Sequence, residues 1–229
     1  HIYMTCHCKR DSCKRIKINP RRVEGGNFII DTSGHYVLDG NVYFSPIFKK
    51  YVAITIKAND VTLDLCGKTI KQTNSAKQCI GIKILTGHSN VTIVNGSIKN
   101  FTQWAISVEG NQKNIFLGEC DTKLHVNGCV YGSSQSFFDP DTNTPILQGG
   151  VLLGETKYLE ALGFYVYHGT IQTAQLNNVF VEENGPIGFN FGIVSNLTVQ
   201  NSSFSYNTDS REVGYDILGF STPNWNAVY

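Results

Sequence analysis

One short pattern recurs along the chain and restricts what it can fold into. It consists of an Asn or Asp, an alternating apolar strand, a corner of Asn or Gly, and a second short strand. The clearest copies are 60–70 (Asp-Val-Thr-Leu-Asp-Leu-Cys-Gly-Lys-Thr-Ile), 90–98 (Asn-Val-Thr-Ile-Val-Asn-Gly-Ser-Ile) and 196–204 (Asn-Leu-Thr-Val-Gln-Asn-Ser-Ser-Phe). In each copy every second residue is apolar, which is the period of a strand with one buried face.

The copies recur at a spacing typical of a solenoid. Val61 and Val91 are 30 residues apart, Val91 and Ile115 are 24 apart, and Val179 and Leu197 are 18 apart. Repeats of about 20–30 residues indicate coils that stack, because one coil alone cannot bury its inner face. We therefore predict an all-β fold of stacked coils joined by parallel ladders.

The corners of the repeat have their own predicted role. Asn and Gly tolerate the positive φ that a tight corner requires. Stacked corner amides can also bond from coil to coil, as they do in fibrillar stacks. We predict a structural ladder that includes Asn95, Asn184 and Asn201.

Breaks in the rhythm divide the chain into three parts. Residues 1–26 form a basic, Cys-containing arm or cap, and 27–208 form the coils. One long excursion at about 120–165 interrupts the coils, with a short helical-looking piece at 158–162. The last part, 209–229, is a C-terminal cap or a linker. Residue 1 is His rather than Met, which indicates a processed chain or a fragment.

The arm concentrates positive charge on a chain whose net charge is only +1. A basic arm on an acidic body suits an anionic partner, such as nucleic acid, an anionic glycan or an acidic protein surface. A solvated tail is the alternative. The residues predicted to bind the partner are Lys9, Arg10, Lys14, Arg15, Arg21 and Arg22.

Seven cysteines leave the redox compartment open. Cys120 and Cys129 could close a local loop as a disulfide in an oxidising setting. Buried free thiols are equally compatible with Cys66 and Cys79, because Cys packs as a small hydrophobe. No zinc-ligand spacing is present, and we predict neither a metal site nor a cofactor.

These repeats resemble a known family. The resemblance lies in three segments: Val-Thr-Leu-Asp-Leu-Cys-Gly-Lys-Thr-Ile, then Gly81-Ile-Lys-Ile, and Asn-Val-Thr-Ile-Val-Asn-Gly-Ser-Ile. They are similar to the repeat of the pectin-lyase-like superfamily, and most similar to that of the β-helix proteins of large DNA viruses. The likeness covers 50–118 well and 163–208 loosely. It implies a right-handed parallel β-helix and leaves the function open, because this fold carries many functions.

Catalysis in such a fold would need carboxylates that flank a glycosidic bond. The candidates are Asp60, Asp64, His88 and His168. Asp64 alternates with Leu63 and Leu65 and should point outward, and Asp60 lies at a turn. Such Asp residues more often cap turns, so we expect no catalytic residue among them.

The expected function is therefore structural or surface-binding rather than enzymatic. We expect a β-helix component of a virion, associated with its capsid or surface, or an extracellular or cell-surface protein. Its partners would be protein neighbours in an assembly or surface glycans. The alternative is a polysaccharide lyase or glycoside hydrolase that acts along the coil face. No apolar run is long enough to span a membrane.

Overall fold

The computed structural model describes residues 14–46, 51–75, 77–128, 149–154, 156–159, 164–167, 170–184, 187–207, 215–219 and 224–228. The fold is all-β, with parallel sheets. In the described residues the one helix is α1 (Pro20–Glu24), which is too short to cross a membrane.

The parallel strands form three ladders, called A, B and C below. Ladder A contains β1 (Arg15–Ile18), β3 (Gly34–Leu38), β6 (Val61–Gln72), β8 (Val91–Lys99), β10 (Gln112–Leu117), β15 (Thr170–Asn177), β18 (Ile193–Gln200) and β21 (Asn224–Val228). Ladder B contains β4 (Val42–Phe44), the ends of β6 and β8, β11 (Leu124–Asn127), β16 (Val179–Glu182) and β19 (Ser203–Ser205). Ladder C contains β2 (Phe28–Ile30), β5 (Tyr51–Ile56), β7 (Cys79–Ile84), β9 (Trp104–Val108), β12 (Gly149–Leu153), β17 (Ile187–Phe191) and β20 (Tyr215–Gly219).

The chain visits the ladders in a repeating order. After β6 and β8 have each passed through ladders A and B, the chain enters ladder C as β7 and β9. Two of the predicted spacings are register pairs, Val61 with Val91 and Val91 with Ile115. The third is not, because Leu197 pairs with Ala174 while Val179 lies on ladder B.

Alternation along the strands builds the core. Successive strands of ladder A place one apolar residue each in register, and these residues are almost fully buried. They are Tyr36, Leu63, Ile93, Leu117 and Leu176. Such a column stabilises the sheet because each residue in it removes apolar surface of the neighbouring strands from water.

The corners between ladders A and B use left-handed backbone. Asn95 has φ 59, Asn178 has φ 55 and Asn201 has φ 49, and Gly118 has φ 73 at the equivalent point. Asn is the non-glycine residue that adopts this region most readily, since its short side chain can bond locally. The preference for Asn and Gly at the corners follows from this geometry.

The excursion predicted at 120–165 is not continuous. Within it β11 pairs with β8 and β16, and β12 pairs with β9 and β17, so both strands belong to the parallel ladders. The prediction of a short helix at 158–162 is also wrong for its first residues. Residues Thr156–Leu159 form β13, which pairs antiparallel with β14 (Phe164–Tyr167).

Both ends of the chain extend the ladders further than expected. Residues 14–26 of the predicted arm belong to the fold, because β1 pairs with β3 and α1 packs against β4 with Val23 buried. Residues 27–58 supply strands to all three ladders. Beyond residue 208, β20 and β21 pair with β17 and β18.

Candidate functional site

Asp60 belongs to a chain of side-chain hydrogen bonds that crosses three neighbouring strands of ladder A at their starts, β6, β8 and β10. It precedes β6 at φ 53, and its Oδ1 accepts from Asn90 Nδ2 at 2.7 Å. Asn90 Oδ1 in turn accepts from Asn114 Nδ2 at 2.7 Å. The Asp60 carboxylate is thus the last acceptor in a row of amide side chains, and these hydrogen bonds fix the register of the neighbouring strands.

Asp64 has a similar set of partners at the next corner. Its Oδ1 accepts from the backbone N–H of Cys66 at 2.7 Å and from Asn95 Nδ2 at 3.0 Å. Its Oδ2 lies 3.9 Å from Nε2 of His35, a buried nitrogen without a hydrogen-bond partner. Asp64 thus stabilises the Cys66 corner and anchors the amide of the following corner.

Asp60 and Asp64 lie four residues apart, so their Cα atoms are separated by roughly 13 Å at a strand rise of ~3.3 Å per residue. The paired carboxyl groups of glycosidases stand about 5–9.5 Å apart. His88 precedes β8 in a segment that stacks on the Asp60 turn, where the Asp60 N–H donates to Ser89 O at 2.9 Å. His168 lies outside the described residues.

The predicted corner ladder is distributed over separate positions. Asn95 bonds to Asp64, and Asn201 Nδ2 donates to Asn177 Oδ1 at 3.2 Å. Asn184 lies elsewhere, after β16, and is buried at 1% exposure. Its Nδ2 donates to Asn207 Oδ1 at 2.9 Å and to Val126 O at 3.0 Å. The three asparagines therefore do not stack on one another.

Four of the six basic residues predicted to bind a partner lie on or next to β1 and α1. Arg15, Arg21 and Arg22 are exposed on β1 and α1, and Lys14 is exposed just before them. The Arg22 guanidinium lies 5.0 Å from the centroid of the Phe28 ring. Lys9 and Arg10 lie outside the described residues.

In the described part of the chain one cysteine is oxidised and two are reduced. Cys120 is disulfide-bonded, whereas Cys66 and Cys79 form no disulfide. The predicted partner of Cys120, Cys129, lies outside the described residues. Cys79 is buried, whereas Cys66 is exposed at a corner, so the expected burial of Cys66 was wrong.

One aromatic cluster on ladder B was missed by the sequence reasoning. His125 and Phe180 are register partners whose rings stack with centroids 5.1 Å apart, and Lys123 Nζ lies 5.1 Å from the Phe180 centroid. Burial lowers the pKa of His125, with Glu182 opposing and Lys123 and Lys99 reinforcing that shift. These residues are far apart in sequence, so only the register unites them.

In the described residues, no three His, Cys, Asp or Glu side chains converge into a group that could hold a metal ion. No family model, curated protein or solved structure matches the chain.

Proposed function

We propose that the chain is a right-handed parallel β-helix with a structural or surface-binding role. It would form part of a virion, at its capsid or surface, or act as an extracellular or cell-surface protein. The repeated A, B, C order of the ladders supports the solenoid. The disulfide at Cys120 supports an oxidising location, where disulfides persist.

The observation that carries the structural role is the engagement of Asp60 and Asp64. Both carboxylates are acceptors for amides of the next coil. A general acid or base needs a carboxyl group free to exchange a proton with substrate. Because both carboxylates accept hydrogen bonds from the next strand, we infer that their function is to hold neighbouring strands together.

A glycan panel separates this role from a polysaccharide lyase or hydrolase. The chain and its Asp64→Asn variant are incubated with neutral and acidic glycans, and unsaturated products and reducing ends are measured. We expect no turnover from either protein, and lower stability of the variant. Turnover by the chain that disappears in Asp64→Asn would overturn the structural role in favour of the enzyme.

A charge reversal tests whether the arm joins the chain to an assembly. Deletion of 1–22 is unsuitable, because it removes β1 and with it Ile18, which is fully buried. Lys9→Glu with Arg10→Glu leaves β1, α1 and every cysteine in place. We expect this double variant to lose incorporation into the assembly while its circular dichroism and melting stay close to those of the full chain. Normal incorporation would count against a role for Lys9 and Arg10.

A further inference from the structure

Five acceptor tripeptides for N-linked glycans occur in the chain. Each consists of an Asn, a residue other than Pro, and a Ser or Thr. Their asparagines are Asn90, Asn95, Asn100, Asn196 and Asn201. Such a tripeptide accepts a glycan in a secreted or surface protein, and the disulfide at Cys120 is compatible with that setting. The tripeptide alone gives false matches, so the place of each Asn in the fold decides between a structural role and modification.

Backbone conformation explains four of the five asparagines without any modification. Asn90, Asn95, Asn100 and Asn201 have positive φ, between 49 and 61. Asn is the non-glycine residue that adopts this region most readily, so a left-handed position favours Asn whatever residues follow it. Asn196 differs, because it lies within β18 and its φ is not positive. The backbone at residue 196 therefore does not require Asn.

Asn196 and Asn90 are equivalent positions of the repeat. Each directly precedes one end of a row of register partners on ladder A, which runs Val91, Ile115, Ala174 and Leu197. The Asn90 amide is held on both sides, because Nδ2 donates to Asp60 Oδ1 and Oδ1 accepts from Asn114 Nδ2, each at 2.7 Å. Asn196 Nδ2 lies 3.3 Å from Gln172 O, which is longer than a usual N–H···O bond. Since a glycan replaces a hydrogen on Nδ2, the short bond at Asn90 hinders modification more than the long bond at Asn196.

The hydroxyl that completes the tripeptide lies on the same face of β18 as Asn196. Residues two apart in a strand point to one side, and the buried Leu197 separates an exposed Asn196 from a partly exposed Thr198. The corresponding hydroxyl of the Asn100 tripeptide is inaccessible, because Thr102 is 1% exposed and takes part in buried hydrogen bonds. Asn196 and Thr198 thus present a complete acceptor tripeptide on the outer surface of ladder A in the folded protein.

We propose that Asn196 accepts an N-linked oligosaccharide, in preference to the equivalent Asn90. The donor is an oligosaccharide linked through a diphosphate to a lipid. A bond forms between Asn196 Nδ2 and the anomeric carbon, the bond from that carbon to the diphosphate oxygen breaks, and Nδ2 loses one proton while the lipid diphosphate leaves. Nothing is oxidised or reduced in this transfer.

A glycan on Asn196 changes the outer surface of ladder A at β18. The same strand carries Ile193, an apolar side chain that is 39% exposed. N-linked glycans are bulky and solubilising, so an oligosaccharide here opposes lateral contacts through this face. The inference deepens the proposed function and rests on its extracellular or surface location, because the transfer takes place on the secretory route.

Secretion of the full chain from eukaryotic cells, behind a cleavable leader, tests the acceptor. The amidase that releases N-linked glycans converts a modified Asn to Asp, so peptide mass spectrometry after release in heavy-oxygen water identifies each modified position. We expect modification of Asn196, at a higher occupancy than that of Asn90. An unmodified Asn196 in the secreted chain, or an occupancy of Asn90 that equals or exceeds it, overturns the proposal.

Two variants of one residue separate modification from a structural role of the tripeptide. Thr198→Val removes the hydroxyl and nearly keeps the size of the side chain, whereas Thr198→Ser keeps the hydroxyl. We expect the first variant to lose the glycan from Asn196 and the second to retain it. A glycan that persists on Asn196 in Thr198→Val overturns the proposal. Circular dichroism and melting confirm that each variant is folded, and Asn196→Gln replaces Thr198→Val if that variant is not secreted.

The chain isolated from its natural source separates the acceptor from the location. A glycan on Asn196 in that material supports both the acceptor and the proposed extracellular or surface location. A chain that is modified when secreted behind a leader, but unmodified in its natural source, overturns that location and leaves Asn196 standing as an acceptor.

Discussion

At the scale of single residues, close approach between coils decides which side chains are tolerated. An added Cβ at Gly96 would lie 2.5 Å from Leu65 Cβ and 2.6 Å from Lys68 O. The Leu65 side chain already fills this space, and β6 and β8 are in register on both sides of it. Gly96 is therefore required by packing between two neighbouring coils.

Gly96→Ala should lower the free energy of unfolding by about 1–3 kcal/mol, the usual cost of overpacking. Gly25→Ala is the matched control, because Gly25 has φ −73 and nothing within 4 Å of the added Cβ. It should be neutral or stabilising by up to about 1 kcal/mol. Urea unfolding monitored by circular dichroism measures both, and equal losses would contradict the packing argument.

His125 should titrate below its ordinary pKa of 6.5, because burial disfavours the charged ring. Between its folded pKa and 6.5 the unfolded chain binds the proton better, so the free energy of unfolding rises with pH through that interval. NMR titration, with His125→Gln for assignment, measures the pKa. Lys99→Gln should raise it and Glu182→Gln should lower it, and opposite shifts would contradict this account.

At the scale of elements, the corners bind one coil to the next through buried amides. After β16, Asn184 donates to Val126 O and to Asn207 Oδ1, and Asn207 Nδ2 donates to Val181 O at 3.0 Å. The bonds span coils that contribute β11, β16 and β19. Buried amides of this kind hold the ladders in register because leaving them unpaired is unfavourable.

Asn184→Ala should destabilise the protein by about 2–3 kcal/mol, since it leaves buried acceptors without their donor. Asn196→Ala is the control, because Asn196 is exposed and its Nδ2–Gln172 O distance is 3.3 Å. That change should cost less than about 0.5 kcal/mol. Chemical denaturation compares the two variants, and a larger loss for Asn196→Ala would refute the assignment.

At the scale of the whole molecule, position in the stack determines how well a strand is supported. The strands β6, β8 and β10 have ladder neighbours on both sides, whereas β1 pairs with β3 alone in the described part of the chain. Local opening is easier where fewer buried contacts must be broken. The β1 end should therefore be the less stable part of ladder A.

Hydrogen exchange followed by mass spectrometry should show faster exchange in Arg15–Ile18 than in Val91–Lys99. The interior strand β8 serves as the internal control, since its edges are already paired. Equal protection of β1 and β8 in the monomer would contradict the gradient.

Much of this fold is a local property of the sequence. Alternation such as that of Val61, Leu63 and Leu65 predicts which side chains face the core, and Asn or Gly predicts where the backbone turns with positive φ. Both depend on residues that are adjacent in the chain. The strands of β6 and β8, and their pairing through Val61 and Val91, were therefore predictable.

Only the tertiary structure decided which coils become neighbours. Loops of unequal length connect the strands. The alternation of apolar residues along a strand shows which face is buried, but it does not show which of several similar strands becomes its neighbour. Register alone brings His125 onto Phe180 and sets Leu197 beside Ala174.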